Sequence, residues 1–130
     1  MRRYTMPFTI TNTTKEKLPK HPFKKMAERV LGADYDLSLT IVNTEEITEL
    51  NCEYRDKHQP TDILSFPLSD KAGEIFLCLT EAKKEAPKFD RKYDNFVAFL
   101  VIHGLMHLKG FDHSSTMEDN EMIIRQEFGI

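Results

Sequence analysis

The chain has 130 residues, 40% hydrophobic and 30% charged, with a formal net charge of −3 and a pI near 5.9. These values fit one domain, residues 1–130, large enough to hold its own core without a disulfide or metal staple. They argue against a protein that coats nucleic acid through bulk charge. The longest apolar run, Phe96 to Ile102, is too short to span a bilayer, so no membrane partner is expected.

The amino terminus, "MRRYTMPFTI", has too short an apolar stretch for a signal peptide, and the expected location is the cytoplasm. Residues Tyr4 to Ile10 read as a short strand weakened by Pro7. A helix is expected from Pro22 to its stop at Gly32. Leu37, Leu39 and Ile41 alternate with polar neighbours, which predicts a strand over Tyr35 to Val42. Asn43 followed by Glu46 is a capping box opening a helix to about Tyr54. The polar stretch "RDKHQPT" from Arg55 is a loop. "DILSFPL" from Asp62 and "GEIFLCL" from Gly73 read as strands, the first near a sheet edge because of Pro67. Thr80 is expected to cap a short helix stopped by Pro87. Asp90 is expected to cap a longer one that ends at Gly110, and Thr116 the last, to about Phe128. The helix containing Phe96 to Ile102 is apolar on all sides and should be central and buried. The fold class is α+β: one mixed sheet of about four strands packed with helices. Cys52 and Cys78 form no CxxC pair and read as reduced, buried thiols. The basic and acidic clusters along the chain read as solvated helix faces.

Three of the five histidines fall within "HGLMHLKGFDH", His103 to His113. On a helix, His103 and His107 project from one face, one turn apart, as two ligands of one metal do. Gly110 ends the helix, and His113 follows in position to be a third ligand. Three imidazoles leave a fourth position open, the pattern of a catalytic zinc rather than a structural one. An isolated HxxxH pair is more often structural. The third histidine and the cost of burying two unused imidazoles favour a metal. Zinc-protease helices carry HExxH, whose glutamate is the general base, and here that position is Gly104. A metal alone lowers the pKa of water to about 7. A phosphodiester suits such a site, because its cleavage depends mainly on positioning and charge neutralisation. That calls for a cation near the metal, and Arg55 and Lys57 are both candidates by spacing.

At this point the chain resembles a known family. "HGLMHLKGFDH" is similar to the HGxLHLxGxDH signature of the YbeY family of bacterial rRNA-maturation endoribonucleases. "LNCEYRDKHQPTDILSFP", Leu50 to Pro67, resembles that family's LNxxYR…TDVLSFP segment, and "GEIFLC" from Gly73 is a weaker third match. The blocks occur in the family's order and cover nearly the whole chain. The resemblance implies a single-strand-specific, metal-dependent endoribonuclease acting in small-subunit rRNA 3′-end maturation and ribosome quality control. Its partners would be rRNA and the small subunit or its assembly factors, with no DNA expected. One Zn²⁺ per chain would be held by His103, His107 and His113, and Arg55 falls on the family's functional arginine. Met106 replaces the usual leucine, Asp56 a common glycine, His58 a common acid, and Glu74 an aspartate.

In the expected mechanism Arg55 holds the phosphate, and Asp112 orients a ligand histidine or serves as a turn residue. Thr61 and Ser65 are candidate substrate contacts. Phe66 and Phe111 are candidate base-stacking groups, with structural uses the commoner fate of all four. Two alternatives compete. One is a metallohydrolase acting on peptides or small molecules, with Glu74 or Asp62 replacing the missing base. The other is a non-enzymatic ribosome-assembly factor whose zinc staples the fold, with Cys52 or Cys78 as a fourth ligand.

Overall fold

Alternating apolar residues make Asp36–Ile41 strand β2, with Leu37, Leu39 and Ile41 fully inside. The structure is a computed structural model and describes residues 8–110 and 115–130. Before β2 come β1 (Phe8–Asn12) and α1 (Phe23–Leu31); after it comes α2 (Thr44–Arg55). Strands β3 (Ile63–Ser69) and β4 (Ala72–Leu77) follow, then α3 (Leu79–Glu85), a 3-10 turn (Ala86–Phe89), α4 (Tyr93–Lys109) and α5 (Ser115–Glu127).

The four strands form one mixed sheet in the order β1-β2-β4-β3. The β1–β2 and β2–β4 pairs are parallel, and β3–β4 is antiparallel. The fold is therefore α+β with a four-stranded mixed sheet, as the sequence indicates. β3 is an edge strand. It accommodates Pro67 with a register shift between Pro67 and Ser69.

One face of the sheet packs on α1 and α4 through Leu37, Leu39, Ile41, Ile75 and Leu77. The other face carries a smaller cluster of Val42, Ile47, Leu64 and Cys78, with Phe66 and Phe76 against it, beneath α2. α4 is the central helix: Phe96, Val97, Ala98, Ile102 and Leu105 are wholly buried on it. No helix among the described residues is long and apolar enough to cross a membrane.

Several helix starts differ from the sequence reading. Asn43 does cap α2, its side chain accepting the Glu46 amide at 2.8 Å. Thr80 lies inside the first turn of α3, after Cys78, and its hydroxyl donates to Glu16 at 2.9 Å instead. Asp90 sits in a left-handed conformation closing the 3-10 turn, and α4 begins three residues later after Lys92. Pro87 does stop α3, which ends at Glu85, and it occupies the first turn of the 3-10 segment that follows, where its missing N–H costs little. Thr116 lies within α5, which begins at Ser115. The β1 reading from Tyr4 falls partly outside the described residues, and the strand runs on to Asn12. Cys78 is buried as expected, whereas Cys52 is partly exposed, with its sulfur 3.1 Å from His58 Nδ1.

Candidate metal centre and nucleic-acid cleft

The long apolar run of α4 carries two polar exceptions, His103 and His107, toward one side of the core. Being one turn apart, their rings meet edge to face with centroids 4.7 Å apart. Their Nε2 atoms converge to 3.2 Å. Two nitrogens bound to one tetrahedral zinc at about 2.0–2.1 Å would lie about 3.3–3.4 Å apart. The pair therefore fits a shared metal without moving the helix. Gly110 ends α4 at φ 104, with its amide bonded back to His107 and Met106. His113, Asp112 and Phe111 lie outside the described residues. Among the described residues, no group of three or more His, Cys, Asp or Glu side chains gathers in metal-holding reach.

The other nitrogen of His103 is held from α5. Its Nδ1 lies 3.1 Å from Glu121 Oε2 and 3.2 Å from Oε1, and Glu121 is only 4% exposed. A carboxylate there makes Nδ1 the protonated nitrogen and leaves Nε2 a lone pair to give. This is the carboxylate–histidine arrangement that orients metal ligands in many sites. Arg125 Nη1, 3.4 Å from Glu121 Oε1, balances the buried charge from the next turn. No motif flags Glu121, but its helix does. Met117 and Ile124 face the core, and the acid between them stands at a position where α5 calls for an apolar residue.

Arg55 ends α2 and is exposed. The turn after it is fixed by the backbone: Asp56 adopts φ 55, with its amide bonded to Asn51 and Cys52 carbonyls. Buried Asn51 donates to the Gln59 carbonyl at 2.9 Å. That left-handed cap accounts for the glycine common at this position. Among the described residues no acid forms an ion pair with Arg55, so its guanidinium remains available to an anion. Lys57 lies on the same turn but does not line the cleft.

Arg55, His103 and His107 share a cleft of about 760 Å³. Its floor is the open edge of β3, Ile63 to Pro67, which includes Ser65 and Phe66. One wall is Tyr54 and Arg55 of α2; the other is Phe89, Phe99, Leu100 and the two histidines. Thr61 and Asp62 also line the cleft. Burial pushes the Asp62 carboxyl above its usual pKa, and the charge of Glu85 adds to that; two backbone amides and His103 pull it partly back. Glu74 stands on the sheet face opposite α4, in register with Ser38 and Phe66, and does not line the cleft. Cys78 contacts Thr44 at 3.7 Å and Cys52 contacts His58, so neither joins the histidine pair.

Gly104 has a structural reason. A Cβ there would lie 2.9 Å from Ser65 Oγ, 3.1 Å from Ile63 Cδ1 and 3.2 Å from Ile75 Cδ1. The position faces the sheet at close range. A glutamate side chain would be driven into β3 and β4 rather than toward the histidine nitrogens.

The comparisons with known proteins agree on one family. The family model of endoribonuclease YbeY matches residues 8–129. Endoribonuclease YbeY of Halalkalibacterium halodurans is 36% identical, over 77% of this chain and 73% of its own. That of Staphylococcus carnosus is 34% identical, over 81% and 76%. A Thermotoga maritima protein solved in solution has a similar fold, with a TM-score of 0.67 at 27% identity, covering 94% of this chain and 89% of its own. With the motif order, the mixed sheet and the histidine-bearing central helix all in accord, the chain belongs to the YbeY family of endoribonucleases.

Proposed function

We propose that residues 1–130 form one zinc-dependent endoribonuclease domain that cuts single-stranded RNA, with rRNA of the small ribosomal subunit as its target in the cytoplasm. The observation that carries the reading is the convergence of His103 and His107 Nε2 to 3.2 Å in a cleft whose opposite wall is Arg55. His113 is the third ligand in this reading, one Zn²⁺ per chain. A divalent metal held by neutral imidazoles supplies Lewis-acid polarisation to the reacting phosphate or to the attacking water.

The chain's own groups do the rest. Glu121 keeps the proton on His103 Nδ1 and the ring fixed, so that Nε2 presents its lone pair. Arg55 binds the scissile phosphate through two N–H groups and offsets the charge that grows on its oxygens. The helix-capping turn at Asp56 sets where that guanidinium starts. Together, a metal on one wall and a fixed cation on the other match a substrate that is itself an anion.

The test is cleavage of a single-stranded RNA by His107→Ala and Arg55→Ala proteins shown by circular dichroism to be folded. Arg55→Ala should lose roughly 10²–10³-fold in rate, as for removal of one charge-stabilising donor. His107→Ala should lose both cleavage and bound zinc, and a chelator should silence the wild type. Undiminished cleavage by both variants would sink the site. A His107→Ala protein that keeps its zinc would remove His107 from the ligand set.

A further inference from the structure

Two aromatic side chains among the described residues are exposed, Tyr54 at 60% and Phe89 at 51%. Both border the cleft that holds Arg55, His103 and His107, and they stand on opposite walls of it. Neither ring is loosely placed. Tyr54 rests on Phe66 with centroids 4.8 Å apart, and Phe66 on Phe76 at 5.8 Å, a ladder running down to the sheet. Phe89 rests on Phe96 at 5.1 Å and on Phe99 at 5.8 Å, and those two stack on each other at 5.6 Å. Each exposed ring therefore has one face or edge against buried or partly buried aromatics and apolar surface left to solvent. A large apolar surface held rigid in water is costly unless something covers it.

We propose that Tyr54 and Phe89 are base platforms that receive unpaired nucleobases on the two sides of the phosphate held by Arg55. This rests on the reading of the cleft as an RNA-cleaving site. Stacking on a side chain requires a base free of its partner strand, so two such platforms select single strands over duplex by geometry. They are sequence-tolerant, because every base has a π-face. Tyr54 is adjacent in sequence to Arg55, so one helix turn positions a base and its phosphate together. Phe89 sits in the 3-10 turn before α4 and serves the other wall.

The probe is a short unpaired RNA carrying the fluorescent base analogue 2-aminopurine, kept intact by chelator. The chain has no tryptophan, so quenching of the analogue reports stacking without an indole background. Tyr54→Ala and Phe89→Ala should each weaken binding by about 5- to 150-fold and relieve the quenching. Tyr54→Phe and Phe89→Tyr should keep both. Phe89→Leu, which preserves apolar contact with Phe96 and Phe99 but has no π-face, should lose quenching while remaining folded. A strand of the same length with abasic sites at the stacked positions should bind wild type and alanine variants alike. With metal restored, the alanine variants should raise KM and leave kcat nearly unchanged. If wild type cleaves RNA and both alanine variants bind and quench as it does, the platforms are overturned while the cleavage reading stands. A wild type that neither binds nor cleaves RNA would overturn the cleavage reading itself, and the platforms with it.

Discussion

Glu121 shows what a single side chain contributes at this site. It is a buried acid on the last helix, and its oxygens reach His103 Nδ1 at 3.1 and 3.2 Å. Holding a proton on one nitrogen commits the other to donating a lone pair, so in the proposed metal site the carboxylate would govern how well His103 binds a cation. Glu121→Gln should therefore weaken zinc binding by roughly 10- to 100-fold, read by competition with a chromophoric chelator. Unchanged affinity would mean the carboxylate does not orient the ring. The histidine pair was legible in the sequence because i and i+4 on a helix is a fixed geometry. The pairing of Glu121 with His103 was not, since 18 residues and a change of helix separate them. From sequence, Asp112 is the candidate for orienting a ligand histidine, with a turn role as its alternative, and it lies outside the described residues. Arg55 was legible through the family motif rather than from spacing, which left Lys57 equally eligible.

At the scale of elements, the approach of α4 to the sheet depends on Gly104. Read as a motif, that glycine is a missing general base. In the structure it is the point where helix backbone meets Ser65, Ile63 and Ile75 at distances that admit no Cβ without displacement. Gly104→Ala gains about 1 kcal/mol in helix propensity but overpacks the contact at a cost of about 1–3 kcal/mol. The expected result is a lower urea midpoint, partly restored by adding Ser65→Ala, which removes the nearest atom. A midpoint above wild type would show that the sheet yields easily there. Element types and order were legible because the alternation in β2 and the unbroken apolar run in α4 are strong periodic signals. Helix starts at Thr80, Asp90 and Thr116 were misplaced by one or more residues. Each is a good capping residue, but Thr80 found a distant acid and Asp90 closed a different turn.

Over the whole molecule, the helix that supplies both histidines is also the helix on which the main core is built. α1, α3 and α5 all pack on it, as do β3 and β4. Binding at the histidines should accordingly stabilise the entire domain. Zinc at about 100 times its Kd adds about 2.7 kcal/mol, a rise in Tm of roughly 10 °C for a chain of this size. Differential scanning calorimetry should show that rise in wild type and its absence in His103→Ala; a rise of equal size in both would place the stabilising metal elsewhere. The same sharing of one helix has a kinetic consequence. Amide protons at the centre of α4 lie behind every layer of the core, so they exchange with solvent only when the domain unfolds as a unit. His103 lies toward that protected stretch, while His107 stands in the last turn of the helix. In the proposed reading, adjustment to different RNAs would then fall to the RNA strand rather than to α4.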